Sequence, residues 1–303
     1  MRYLTSSRAA AHARQRGACR AGRAGAARAL PRRPGCGNND RMRVSIELVP
    51  RDEASLADQL REVAEAFPFV DTVNLPDILR FPLRSWQGCA QARAVVPHAI
   101  PHLRAMDVDL ERPLKAAPWI RRHGIDEVLV ISGDAPSDMS KAVYGSSPVQ
   151  VIRKVKRELP GVRVYAALDP YRQALRRERD YVLQKLEAGA DGLFTQPFFD
   201  LRLLEVVADL MGEVIDARVP VFWGFTSVVG RRSARYWETR NGAVFPRGFE
   251  PSLEWSRGLA RRALALARER DLDVYFMPIR IGPRAYLEGV LGREAVAPAA
   301  GGR

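Results

Sequence analysis

A few polar residues stand inside or directly after short apolar stretches, where a side chain that does chemistry can be shielded from water. Glu47 interrupts the apolar run Ser-Ile-Glu-Leu-Val-Pro. Burial among such neighbours should raise the pKa of its carboxyl through desolvation, which suits a general acid working near neutral pH. The structural alternative for Glu47 is a buried ion pair with an arginine.

Two more polar residues follow apolar stretches later in the chain. Asp134 ends the sequence Ile-Ser-Gly-Asp, and Gln196 directly follows Gly-Leu-Phe-Thr. A carboxylate accepts hydrogen bonds from a row of N–H donors, and an amide can donate to and accept from one planar ligand. The alternatives are structural, since Asp134 could cap the next helix and Gln196 could simply tie down its loop.

These residues belong to a pattern in which strand and helix alternate from Met42 onward, with apolar residues in short runs or at helical spacing. The strands are predicted at residues 44–49, 72–75, 100–106, 127–132, 162–168, 192–195, 219–224 and 274–280. The helices are predicted at residues 54–67, 86–94, 114–122, 149–159, 174–188, 201–211, 253–269 and 284–291. A long loop is expected from residue 225 to residue 250.

Eight strands, each followed by a helix, over about 250 residues predict a (β/α)8 TIM barrel, an α/β fold. A doubly wound sheet is the runner-up, although no Gly-x-Gly-x-x-Gly follows the first strand. In a barrel, polar residues at the C-terminal ends of the strands gather at one rim. That rim should hold Glu47, Asn74, His102, Asp134, Asp169, Gln196 and Arg280, with Trp223 beside them.

The net charge of +13 is concentrated in the first 41 residues, which carry ten arginines and one acidic residue. The remainder is nearly balanced, so we expect the folded part to bind neither nucleic acid nor a membrane surface. Residues 1–41 are rich in Arg, Ala and Gly and should be disordered. Three explanations of this extension stay open: an organellar transit peptide, a basic arm, or translation from upstream of a true start at Met42.

The three cysteines, Cys19, Cys36 and Cys89, make neither a disulfide framework nor a Cys-x-x-Cys pair. A reducing, cytoplasmic setting is therefore expected, and no metal site. No apolar run reaches the length of a membrane span. We expect a single catalytic domain over residues 42–295, preceded by the disordered extension 1–41 and followed by a flexible tail at 296–303.

Residues 185–200 read KLEAGADGLFTQPFFD. This stretch resembles the signature K-x-x-A-G-A-(D)-x-x-x-T-Q-x-F-F-D of methylenetetrahydrofolate reductases. Ser-x-Glu-x-x-Pro around Glu47 and Gly-Asp at Asp134 resemble further motifs of that family. The resemblance implies a flavoprotein oxidoreductase of one-carbon and methionine metabolism that uses FAD and NAD(P)H to reduce 5,10-methylenetetrahydrofolate to 5-methyltetrahydrofolate.

The resemblance also implies roles for individual residues. Glu47 would protonate N10 of the folate and open its imidazolidine ring to an iminium ion. Asp134 would bind the pterin and set the redox balance of the flavin, Gln196 would also bind the pterin, and Arg280 would pair with the acidic tail. The implied cofactor-binding residues are Asn74, His102, Ser132, Asp134, Gly145, Leu168, Arg172 and Lys185.

Several of these positions depart from the family pattern. Ser132 stands where the family usually has arginine, Leu168 replaces a stacking aromatic, and Arg172 replaces a histidine. The departures motivate an alternative function, that of a folate-binding or methyl-transfer barrel without a flavin. A folate is the expected small-molecule partner under either function, and homo-oligomerisation and the choice of NADH or NADPH stay open.

Overall fold

A computed structural model of the chain describes residues 42–134, 142–216 and 219–292. Its eight strands pair in parallel with their neighbours in sequence, and the first strand also pairs with the last. The strands are β1 (Val44–Glu47), β2 (Thr72–Leu75), β3 (His98–Arg104), β4 (Glu127–Ile131), β5 (Arg163–Leu168), β6 (Gly192–Pro197), β7 (Val221–Thr226) and β8 (Asp273–Met277). The predicted (β/α)8 barrel is confirmed.

Helices surround this sheet and bury its outer face. They are α1 (Glu53–Ala66), α2 (Ser85–Ala92), α3 (Ala117–Arg122), α4 (Pro148–Glu158), α5 (Leu175–Glu187), α6 (Leu201–Met211), α7 (Arg231–Asn241), α8 (Leu253–Arg270) and α9 (Pro283–Leu287). No helix within the described ranges is long and apolar enough to cross a membrane. The predicted extension at 1–41 and tail at 296–303 lie outside these ranges.

Side-chain caps decide where two of the helices begin. At the start of α1 the carboxylate of Asp52 accepts from the backbone N–H of Ser55, and the side chain of Ser55 accepts from the backbone N–H of Asp52, which is a capping box. Ser147 and Gln150 form an equivalent capping box at the start of α4. Each box satisfies backbone N–H groups that the first helical turn leaves without a partner.

The predicted loop at 225–250 is wrong, because it contains helix α7. This helix starts after Gly230, where φ is 85°, and ends at Gly242 in a left-handed conformation with φ of 65°. Its buried face consists of Ser233, Ala234 and Trp237, so it lacks the aliphatic stripe that marks a helix in the sequence. Five of its eleven residues are otherwise charged, which hides the helix from pattern reasoning.

The last strand is shorter than predicted and ends at Met277 rather than at Arg280. Pro278 has no N–H to donate to a neighbouring strand, and the N–H of Ile279 turns back to the carbonyl of Met277 at 3.0 Å. Arg280 then adopts a φ of 63°, outside the strand conformation. The chain therefore leaves the barrel wall before it reaches this arginine.

Aromatic side chains fill the barrel lumen below its C-terminal mouth. The Phe194 ring stacks on that of Phe222 with centroids 4.3 Å apart, and both Tyr165 and Tyr275 lie 5.2 Å from Phe194. Gly224 makes room for this packing, because a Cβ there would lie 2.5 Å from the ring of Tyr275. The lumen is thus a packed apolar core that keeps water away from polar groups above it.

The N-terminal end of the lumen is closed by a buried ion pair. Arg43 donates from both terminal nitrogens to the two oxygens of Glu127, each at 2.8 Å. The hydroxyl of Tyr165 donates to the same carboxylate at 2.9 Å, and Arg163 approaches it from the surface at 2.7 Å. These bonds compensate a carboxylate that is completely buried.

Candidate functional site at the barrel mouth

Three predicted site residues meet in the lumen at the C-terminal ends of the first three strands. Asn74 on β2 donates from Nδ2 to Oε2 of Glu47 on β1 at 2.9 Å. The same Nδ2 lies 3.1 Å from Nε2 of His102 on β3. Oε2 of Glu47 and Nε2 of His102 lie 4.0 Å apart and do not bond directly, so Asn74 bridges the two side chains. All three side chains are buried.

The surroundings of this cluster shift two protonation equilibria in opposite directions. Burial raises the pKa of Glu47 to about 7, against the smaller lowering effect of the bond from Asn74. Burial lowers the pKa of His102 to about 3. The imidazole is therefore neutral, while Glu47 exchanges its proton near neutrality. Among the described residues, the partner of Glu47 is the Asn74 amide and not an arginine. This contact favours the hypothesis that Glu47 is a general acid over the hypothesis that it forms a buried ion pair.

Arg104, at the end of β3, is a residue that the sequence reasoning missed. Its buried guanidinium donates to the backbone carbonyl of Asp134 and to Sδ of Met106 at 3.1 Å, and it pairs with Asp107 at 3.4 Å. Gly133 comes so close that an added Cβ would lie 2.7 Å from Nε of Arg104. Arg104 thus holds the backbone that presents Asp134, whose side chain stays exposed. An arginine at the end of an apolar strand was the available signal.

The connections after β4, β5 and β6 are tied to one another. Arg172 donates from Nη1 to Oγ of Ser132 at 3.2 Å, which brings two predicted cofactor-binding residues together. Asp169 accepts from the backbone of Tyr171 at 2.9 Å, and the Tyr171 hydroxyl donates to the carbonyl of Pro197 at 3.0 Å. Burial raises the pKa of Asp169 despite this bond. These hydrogen bonds connect the segments at the C-terminal ends of β4, β5 and β6 to one another.

Three other predicted residues lie on connections at the same end of the barrel. Gln196 is half-buried near the end of β6, where the pairing with β7 shifts register between Phe194 and Pro197. Arg280 is exposed in the connection between β8 and α9. Gly145 is exposed in the segment that leads to α4. All three are placed where a ligand over the mouth could contact them.

Leu168, an implied cofactor-binding residue, and Trp223, predicted beside the rim, both point away from the mouth. Leu168 is fully buried in the core between the sheet and the helices, and Trp223 lies in the same core, with its ring centroid 5.7 Å from that of Phe198. Successive side chains of a strand point to opposite faces, and both residues occupy outward-facing positions. Leu168 therefore cannot offer its side chain to a cofactor over the mouth in this structure.

Lys185 is also committed to the protein. Its Nζ donates to the carbonyl of Ala167 at 2.6 Å and to Oε1 of Glu178 at 3.4 Å, and it lies 4.0 Å from the centroid of the Tyr181 ring. Burial lowers the pKa of Lys185, while Glu178 acts in the opposite direction. The resemblance implies that Lys185 reaches the diphosphate of the cofactor, but in the structure a buried carboxylate matches its positive charge.

The helix that the sequence reasoning missed, α7, covers the β6 connection. The ring of Trp237 packs against Phe199 at 5.4 Å, and Phe245, beyond the helix, lies 4.6 Å from Phe199. Nε1 of Trp237 and Nδ2 of Asn241 are buried, and neither has a hydrogen-bond acceptor among the described residues. An ordered water or a ligand oxygen under α7 would satisfy these two donors.

Comparison with known proteins gives one family and a set of similar folds. The family model for methylenetetrahydrofolate reductase matches residues 88–254, which is more than half of the chain. A solved 2,3-dimethylmalate lyase of the PEP mutase/isocitrate lyase superfamily is 13% identical, with a TM-score of 0.47 over 80% of this chain and 78% of that one. A provisionally described deoxyribose-phosphate aldolase from Toxoplasma gondii ME49 is 12% identical, with a TM-score of 0.46 over 80% of this chain and 92% of the other.

Proposed function

Because the chain belongs to the methylenetetrahydrofolate reductase family, and is thus a folate-related barrel enzyme, we propose that it reduces 5,10-methylenetetrahydrofolate to 5-methyltetrahydrofolate with electrons from NAD(P)H. The matched range includes His102, Asp134 and Gln196, whereas Glu47 and Asn74 precede it and Arg280 follows it. The roles of the last three residues therefore rest on their own geometry and on the motifs around them.

The observation that carries the proposal is the Glu47 carboxyl at the mouth. It is buried above an aromatic lumen, and its pKa of about 7 leaves a large protonated fraction at neutral pH. A proton from Glu47 to N10 of the folate would break the N10–CH2 bond and leave an N5 iminium ion. Hydride addition to the CH2 carbon would then give the methyl group. Neutral His102 beside it adds no positive charge that would lower the pKa of Glu47 and leave the acid deprotonated.

The other rim residues suit the two ends of a folate. Asp134, exposed on a backbone held by Arg104, can accept from the N–H groups of a pterin. Gln196 can donate to and accept from the same ring. Arg280 is exposed on the β8 connection and can pair with the carboxylates of the folate tail through its planar guanidinium.

The residues present fit FAD only in part. When bound, FAD would supply hydride transfer, and His102, Ser132, Asp134, Gly145 and Arg172 lie at the end of the barrel where they could hold it. Two positions do not fit: Lys185, expected to reach the diphosphate, is paired with buried Glu178, and Leu168, in the place of the stacking aromatic, faces the outer core. This mismatch favours the alternative function, that of a folate-binding or methyl-transfer barrel without a flavin.

Two measurements on the purified chain test the proposal. The first is the absorbance spectrum of the protein, with and without added FAD, which shows whether a flavin binds. The second is product analysis after incubation with NADH or NADPH and 5,10-methylenetetrahydrofolate. Formation of 5-methyltetrahydrofolate supports the proposed reaction. A protein that binds folate but yields no 5-methyltetrahydrofolate, with FAD added or absent, would overturn it in favour of the alternative.

Asp134→Asn should weaken folate binding about fivefold, because a hydrogen bond to a charged acceptor is worth about 1 kcal/mol more than one to a neutral acceptor. The dissociation constant is measured by titration calorimetry with 5-methyltetrahydrofolate. Asp58→Asn, the same change at a 73% exposed position of α1, is the control and should bind normally. If the Asp134 carboxylate does not contact the folate, the affinity of Asp134→Asn stays unchanged.

A further inference from the structure

All but one of the hydrogen-bonding sites of the Asn74 amide are used inside the protein. Oγ of Ser45 donates to Oδ1 at 2.7 Å. The two hydrogens on Nδ2 are directed to Oε2 of Glu47 at 2.9 Å and to Nε2 of His102 at 3.1 Å. Asn74 is fully buried, so neither donor is left for a cofactor.

We propose that Asn74 is a positioning residue that holds Glu47 by Oε2, leaves Oε1 to carry the transferable proton, and fixes His102 with its ring proton on Nδ1. The part of this proposal that concerns proton delivery rests on the proposed function. It replaces the predicted role of Asn74 as a direct cofactor contact.

The protonation state of His102 follows from the contacts it makes. A neutral imidazole has one N–H donor and one acceptor nitrogen. Because both hydrogens of the amide serve as donors, Nε2 of His102 must be the acceptor, and the ring proton lies on Nδ1. Asn74 thus selects one tautomer of a histidine that stands 4.0 Å from the acid.

The ionisation of Glu47 should depend on the same amide. Of the titratable groups that face it, His102 on β3 is neutral, and Tyr275 on β8 stays protonated because burial raises its pKa well above the usual value. Burial favours the protonated carboxyl, and the bond from Asn74 is what favours the carboxylate. Without that bond, Glu47 should hold its proton to a higher pH and lose its fixed orientation.

The first experiment compares Asn74→Leu, of similar volume and without donors, with the wild-type chain. The infrared band of the protonated Glu47 carboxyl, identified by its loss in Glu47→Gln, is followed against pH. Its midpoint should lie at about 7 in the wild type and rise by about one to two pH units in Asn74→Leu, the value of one hydrogen bond to a charged group. Ser45→Ala keeps both donors and should shift the midpoint in the same direction by less.

Two further readouts separate positioning from stability. Nitrogen-15 NMR of His102 should show the Nδ1–H tautomer in the wild type and a mixture of tautomers in Asn74→Leu. The rate of folate reduction at neutral pH should fall about tenfold or more, since a carboxyl displaced by about 1 Å loses rate steeply. Thr72→Val is the control, because it faces the same lumen on β2 but bonds Arg43 at the opposite end.

The outcomes distinguish the two levels of the proposal. If the wild type makes no 5-methyltetrahydrofolate but the infrared midpoint and the tautomer still change, the positioning role stands and the proposed reaction fails. If the wild type does make it, and Asn74→Leu loses only stability, with no change in midpoint or tautomer, the positioning role is overturned. If Asn74→Leu does not fold, an unchanged infrared midpoint of Glu47 in Ser45→Ala is enough to reject the positioning role of Asn74.

Discussion

Glu47→Gln should slow folate reduction by about 10²-fold or more, because it removes the transferable proton and keeps the shape of the side chain. The amide oxygen of glutamine can still accept from Nδ2 of Asn74, so the cluster at the mouth should stay assembled. Folate affinity should change little. Steady-state rates and calorimetric titration measure the two effects. Glu65→Gln, at an exposed position of α1, is the matched control for the loss of one carboxylate.

The stability of the same variant separates a catalytic role from a structural one. The folded-state pKa of Glu47, about 7, lies above the ordinary value of 4.5, so its contribution to stability is present below about pH 4.5 and is lost as pH rises through 7. Glutamine does not ionise and avoids this loss. Relative to wild type, Glu47→Gln should therefore gain stability between pH 5 and pH 8, measured by urea unfolding. A variant that is destabilised equally at both pH values and slow in proportion would make Glu47 structural.

Arg43→Met should cost about 3–5 kcal/mol of unfolding free energy, the usual loss when one partner of a buried ion pair is removed. Arg43 is 11% exposed and makes a two-point bond to Glu127, which is fully buried and is also bonded by Tyr165 and Arg163. Arg163→Met is the matched control, because its side chain bonds the same carboxylate but is 49% exposed. It should cost about 1 kcal/mol or less. Urea unfolding of both variants measures the difference, and equal losses would contradict it.

The pH dependence of that loss has a definite sign. Burial by itself raises the pKa of Glu127, but the bond and charge of Arg43, together with the charge of Arg163 and the bond from Tyr165, hold the pKa below its usual value. The stability from this pair is therefore present above the ordinary carboxyl pKa and is lost as pH falls through the lowered one. The difference in stability between wild type and Arg43→Met should shrink in acid. A difference that stays constant down to acid unfolding would show that packing, not charge, is what Arg43 contributes.

The sequence by itself determined the barrel and the position of its polar rim. Short apolar runs that end at Gly or Pro predict strands by local pattern, and 72–75 and 201–211 match β2 and α6 residue for residue. The apolar neighbours of Glu47 in the sequence also predicted that its pKa is raised, because burial of the strand is enough to desolvate the carboxyl. These are properties that the chain carries within a few residues of each position.

The tertiary structure decided what each side chain contacts, because those contacts join distant parts of the chain. The amide of Asn74 bonds residues on two neighbouring strands, and Arg43 reaches Glu127 across 84 residues. Lys185 has the residue type of a phosphate contact, yet folding places it against a buried carboxylate. Helix α7 forms from a polar stretch because Trp237 packs against the ring of Phe199. The hydrophobic periodicity of residues 231–241 does not predict this contact. The hydrophobic pattern of the sequence predicts which side chains are buried. Which residue each buried polar side chain bonds depends on the elements that the closed barrel brings together.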